Sequence, residues 1–180
     1  MTTAVRGPQS IPTTPEHTGL SPAAAYTFAV LRLLIAFQFL WAFADKTFGL
    51  GLATPAENAW VAGGSPTMGF LSNVEGPFAG FFGALAGVAV VDWLFMLGLL
   101  GIGLAFALGI GMRVAAVSGA VMLVMMWMAA LPIEVNPFLD DHLIEAVLLI
   151  GLAAVAAGDT LGLGRRWAAT DLVQRYPILR

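Results

Sequence analysis

Two groups of residues stand out for the chemistry their types and spacing allow. Arg32 is a guanidinium inside the stretch Ala23 to Ala44, which is otherwise apolar except for Gln38 and a few hydroxyls. In a membrane-length helix such a charge costs about 3 kcal/mol or more unless it is paired or solvated. The second group is Asp140-Asp141-His142-Leu143-Ile144-Glu145, where helical spacing puts Asp141 and His142 on the face of Glu145 and turns Asp140 elsewhere. An imidazole between carboxylates makes a proton-conducting track, and Arg32 is the fixed cation that would hold an anionic or quinone-like ligand. Counted along the helices, the depths of Arg32 and Glu145 differ by about 6 Å, so an interior Arg32-Glu145 pair is expected. The catalytic candidates are thus Arg32, Glu145, His142 and Asp141. The plainer readings are snorkelling of Arg32 to the headgroups, pairing for packing specificity, and carboxylates favoured by a helix dipole. Asp140 is assigned to capping alone.

Asp45-Lys46 closes the first apolar stretch and forms the substrate-binding candidate. Lys46 is the only basic residue on its side of the chain and would attract an anion such as a sulfur oxyanion, or form a rim salt bridge with Asp141 or Glu134. Glu134, Asp140, Asp141 and His142 lack a recognisable ligand spacing, and no metal is assigned. Met122, Met125, Met126 and Met128 fit packing better than copper. One histidine near a span cannot build a bis-His haem within the chain. The absence of cysteine excludes disulfides, iron-sulfur clusters and thiol nucleophiles. Gly98, Gly101 and Gly103 follow no strand and form no nucleotide or flavin loop; like the Gly76/Gly80 and Gly83/Gly87 pairs, they suit close helix contact. Any redox chemistry would need a bound cofactor or quinone. Eight basic and eleven acidic residues, dispersed along the chain, make no basic patch and exclude nucleic acid as a partner.

The elements that position these residues follow from composition. Of 180 residues, 59% are hydrophobic and 11% charged, and the mean hydropathy is +0.87. A soluble domain carries about 25% charge, so the reading is an integral membrane protein in a lipid bilayer. The fold class expected is all-α: an antiparallel four-helix bundle with spans at 23–44, 93–112, 114–131 and 137–157. The span 93–112 is uncharged, with little more than Arg113 before the next. Asn136-Pro137 reads as an N-cap followed by proline at the first helical position, which lengthens the fourth span. Residues 76–91 are apolar but short, and Asp92 alone cannot reverse the chain, so this piece is expected to lie in the interface or re-enter it while Asp92 caps the second span. Residues 1–22, with Pro8, Pro12, Pro15 and Pro22, read as a flexible tail, and 164–180 as a second tail. Ala42-Phe43-Ala44 imitates a signal-peptidase site, but the long stretch broken by Arg32 favours an uncleaved span.

Six arginines (6, 113, 165, 166, 175 and 180) fall on the side of the termini and the second turn, against Lys46 alone in the two longer loops. The positive-inside rule then puts both termini in the cytoplasm, with the chain multi-pass in the plasma (inner) membrane. Trp41, Trp93 and Trp127 fall at the outer span ends, Trp60 in the outer loop and Trp167 inside, as interfacial aromatics do. On the outer side eight acids face one base.

Several strings together resemble the DoxX family of bacterial four-helix membrane proteins, related to the membrane subunit of thiosulfate:quinone oxidoreductase. They are Leu31-Arg32-Leu33, Asp45-Lys46, Gly63-Gly64-Ser65-Pro66-Thr67, Gly76-Pro77-Phe78, Val91-Asp92-Trp93-Leu94-Phe95-Met96, Asn136-Pro137-Phe138-Leu139-Asp140-Asp141-His142 and Gly162-Leu163-Gly164-Arg165. The resemblance covers roughly residues 25 to 170. It implies a quinone-associated redox subunit linked to sulfur-compound oxidation or oxidative-stress defence, with quinone as electron acceptor and a soluble or membrane redox subunit as partner. A homo-oligomer is equally compatible. The rival is a non-enzymatic subunit or scaffold that docks a soluble partner.

Overall fold

A computed structural model describes residues 19–134 and 136–180; the expected N-terminal tail lies outside the described residues as far as residue 18. The described chain is helical, without strands. The first helix, α1 (Pro22–Phe48), is capped by Ser21, whose Oγ accepts from Ala24 N–H at 3.3 Å, with Pro22 at the first helical position. Pro22 therefore opens the helix instead of ending the tail. Gly49, in the left-handed conformation, closes α1 and donates to Asp45 O, so the helix runs four residues past the expected Ala44.

Two short helices follow, α2 (Met68–Leu71) and α3 (Ala79–Gly83), with single 3-10 turns at Ala56–Asn58, Trp60–Ala62 and Gly76–Phe78. Residues 76–91 make no span; turns at 84–87 separate α3 from the next helix. Asp92 does not cap the next helix, α4 (Ala89–Leu108), which begins three residues earlier with Val88 at the cap position. The Asp92 carboxylate instead turns to the preceding loop: its Oδ1 accepts from Ser65 Oγ at 3.0 Å, Thr67 N–H at 3.0 Å and Thr67 Oγ1 at 2.6 Å. That bond set fastens the loop to α4.

Gly109 and Gly111 both take positive φ, so α4 turns into α5 (Met112–Ala129) within three residues. Arg113, expected to separate the helices, lies inside the first turn of α5. The next helix, α6 (Asp141–Ala154), is shorter than the expected 137–157. Asn136 Oδ1 accepts from the N–H groups of Phe138 and Leu139, each at 2.9 Å, which closes a turn, and Asp140 becomes the N-cap, accepting from Leu143 N–H at 3.2 Å. An asparagine before proline serves a turn as readily as a helix start. The C-terminal stretch 164–180 contains two short helices, α7 (Gly164–Ala168) and α8 (Asp171–Arg175).

α1 packs along α4, and α5 along both α4 and α6. Their shared core takes residues at helical spacing: Ile35, Ala36 and Phe39 from α1, Met96, Leu99, Ile102 and Phe106 from α4, Ala115, Ala116 and Leu123 from α5, and Ala146, Leu149 and Leu152 from α6. Small residues set the spacing. A Cβ at Gly103 would sit 2.8 Å from Leu40, and one at Gly119 2.6 Å from Leu149. Gly101, Gly80 and Gly83, expected to serve the same purpose, face open space.

The outer faces are apolar as well: Val30, Leu34 and Phe37 on α1, Leu94, Leu97 and Leu104 on α4, Val114, Val117 and Val121 on α5, and Ile144, Val147 and Ile150 on α6 are all exposed. α1, α4 and α5 are long and apolar enough to cross a membrane. The 14 residues of α6 rise about 21 Å, against a hydrocarbon core of about 30 Å.

Candidate functional site

Arg32 and Glu145 do not pair. Arg32 is fully buried and spends its guanidinium on carbonyls: Nη1 donates to Phe106 O and to Ala107 O (2.8 Å), and Nη2 to Leu161 O (2.9 Å) and, at 3.5 Å, Thr160 O. The first two acceptors belong to the last turn of α4, where carbonyls lack intrahelical partners and the helix dipole is negative. The other two belong to the turn after α6, where Leu161 itself takes positive φ. The guanidinium therefore finishes one helix and fastens a loop to it. Nε has no partner. Neither snorkelling nor a carboxylate is needed to account for its depth.

Glu145 has another partner. Gln38 Nε2, six residues further along α1 than Arg32, donates to both Glu145 oxygens at 2.8 and 2.9 Å. Six residues of helical rise is about 9 Å, so α1 delivers its amide, and not its cation, to the level of Glu145. Gln38 was visible in the sequence as the one amide of an apolar stretch, but an uncharged residue drew no assignment.

His142 and Asp140 meet directly: His142 Nδ1 lies 2.7 Å from Asp140 Oδ2. Asp140 thus caps with one oxygen and holds the imidazole with the other, contrary to the expectation that it points away. Asp141 Oδ1 is 3.6 Å from the same nitrogen and its side chain is 80% exposed, so it is the looser partner. Gln38, Asp141, His142 and Glu145 line a cleft of about 100 Å³ together with Phe39, Ala42, Leu99, Met122, Leu123 and Met126. That is room for several ordered waters or a small polar head, given that one water needs about 10–15 Å³. Chemically, the cleft offers two carboxylates, an imidazole and an amide beside apolar side chains. It is drawn from α1, α4, α5 and α6, so the packing of all four shapes it.

Asp45 and Lys46 are outside this cleft. The Asp45 side chain is buried and accepts from Ala53 N–H at 3.2 Å, with its other oxygen unpartnered. Lys46 Nζ lies 6.0 Å from the centre of the Phe95 ring, a cation-π contact. Among the described residues neither Asp141 nor Glu134 pairs with it, so the expected rim salt bridge does not form. Asp140, Asp141 and His142 bring three ligand-type atoms within 4.8 Å of one another, but the 2.7 Å contact already commits two of them to each other. Trp127, expected at a span end, donates through Nε1 to Phe138 O at 2.9 Å and ties α5 to the turn before α6. Compared with protein-family models, with curated proteins and with solved structures, the chain matches none significantly.

Proposed function

We propose that this chain is a DoxX-like inner-membrane protein, a four-helix membrane bundle that serves as a quinone-associated subunit of a sulfur-compound-oxidising or oxidative-stress redox complex. The cleft carries the proposal: Gln38, Asp141, His142 and Glu145 line it together with apolar side chains of all four helices, a combination that suits the polar head of an amphiphile. A bound quinone supplies the electron-accepting chemistry. The chain supplies binding and protons. The Gln38 amide keeps the Glu145 carboxylate facing the cleft, while His142, oriented by Asp140, passes protons between Glu145 and the exposed Asp141. Lys46, beside Phe95, gathers anions at the same end. For α6 to be the fourth crossing, the turns on either side of it complete the bilayer thickness, and its exposed Ile144, Val147 and Ile150 face lipid. The charge asymmetry supports both termini in the cytoplasm.

A second reading, a non-enzymatic subunit that docks a soluble partner, draws on one observation: Arg32, the strongest sequence candidate for ligand binding, is consumed by backbone carbonyls. Purified protein assayed for bound ubiquinone or menaquinone, and for quinone reduction on adding thiosulfate with any co-purifying subunits, separates the two. Quinone that is retained by the wild type and lost at least about tenfold in Glu145→Gln supports the redox subunit. Folded wild-type protein that neither holds quinone nor accepts electrons from thiosulfate or sulfide leaves the docking subunit.

A further inference from the structure

The end of the molecule opposite the cleft carries a feature that quinone binding does not use. Past α6 the chain turns back beneath the α4–α5 junction. Leu163 N–H donates to Leu108 O, the last residue of α4, at 2.8 Å, and Arg113 N–H in the first turn of α5 donates to Arg180 O at 3.0 Å. Side chains reinforce this: Arg113 Nη1 donates to Pro177 O at 2.9 Å, Trp167 Nε1 to Leu179 O at 2.5 Å, and Val173 is buried. Residues 161–180 are therefore pinned at both ends to the level where α4 stops and α5 starts.

The surface so made is basic and apolar together. Arg113, Arg165, Arg166 and Arg175 are exposed, and among the described residues none has a carboxylate partner; Asp159 is taken by Arg180 at 2.8 Å. Between them Leu161, Leu163, Leu172, Tyr176 and Ile178 stand 42 to 60% exposed. Water would solvate the arginines but not the apolar side chains, while the headgroup layer of a bilayer accepts both: guanidiniums bind phosphate in a bidentate fork and apolar side chains enter the acyl boundary. The surface is also continuous with the exposed Leu104, Leu108, Val114 and Val117 of α4 and α5, which lipid covers if those helices span.

We propose that residues 161–180 together with Arg113 form a platform that binds anionic phospholipid headgroups at the leaflet where α4 meets α5. The proposal rests on the membrane reading of the long helices and is independent of quinone. Charge selects the lipid. A zwitterionic leaflet also offers phosphate but balances it with a choline cation, whereas four arginines without a carboxylate partner favour a leaflet of net negative charge.

The full chain, reconstituted in nanodiscs of phosphatidylcholine alone or with phosphatidylglycerol, is followed by amide hydrogen exchange of residues 161–180, with α1 as internal reference. Phosphatidylglycerol is expected to slow exchange at least about fivefold. High salt and the Arg165→Gln/Arg166→Gln/Arg175→Gln variant remove that difference while α1 is unchanged. Equal exchange in the two lipids, whether fast or slow, overturns the proposal. So does equal protection by soluble polyglutamate in phosphatidylcholine discs, which assigns the surface to an acidic protein. Release of the chain by alkaline carbonate would refute the membrane reading itself, an outcome distinct from insertion without lipid preference.

Discussion

Arg32 and Glu145 are both charged and both set among the long helices, yet they are held in opposite ways. Arg32 has no exposure and donates to carbonyls from two separate segments. Glu145 is half-buried, rests on one amide and borders a cleft. A charge enclosed by backbone is committed, because moving it would orphan every carbonyl it serves. A charge held by one side chain beside open space can take or release a proton and meet a ligand. The end around Arg32 is therefore fastened at its centre, and the end around Glu145 holds the chemically available carboxylate.

The largest effect should come from Arg32→Met, which leaves the carbonyls of Phe106, Ala107, Thr160 and Leu161 without their donor. A loss of about 3–5 kcal/mol is expected, read as a collapse of the unfolding midpoint in detergent. An effect no larger than that of a surface change would erase the contrast between the two ends. Gly162→Ala tests the same fastening from the other side. Its Cβ would lie 2.5 Å from Gly158 O and 3.2 Å from Arg32 Nη2, and the crowding should cost about 1–3 kcal/mol in the same unfolding measurement. Glu145→Gln should leave stability within about 1 kcal/mol, since only its half-exposed contact with the Gln38 amide is altered, and should act on quinone retention instead. A stability loss like that of Arg32→Met would move Glu145 into the structural class.

The contrast also explains what could be read before the structure. The helices at 22–48, 89–108 and 112–129 announce themselves because a long apolar run admits no other element. The site was half legible. Asp141, His142 and Glu145 are local in sequence and one helix brings them together. The partners of Arg32 and Glu145 were not legible, because backbone carbonyls have no residue type and Gln38 carries no charge to flag it. The glycines at 109, 158, 162 and 164 were the available hint, since they let the turn after α6 reach the end of α4: a Cβ at Gly109 would sit 2.7 Å from Gly158 Cα. The start of α6 is ambiguous in sequence because Asn136 and Asp140 are both good caps, and only the turn they enclose decides between them. Asp92 shows the same ambiguity: an acid ahead of an apolar run resembles a cap, while its acceptor role toward Ser65 and Thr67 depends on a loop 25 residues away in sequence.

Independence of the two charges is the central claim, and a double-mutant cycle tests it most directly. Arg32→Lys keeps the charge while losing the guanidinium fork, and Glu145→Gln keeps the shape while losing the charge. With unfolding free energies measured for both single variants and the double variant, side chains that share no partner should give a coupling below about 0.5 kcal/mol. A coupling above about 1.5 kcal/mol would mean that Arg32 and Glu145 act as a pair after all, and would contradict the division of the molecule into a fastened end and an available one.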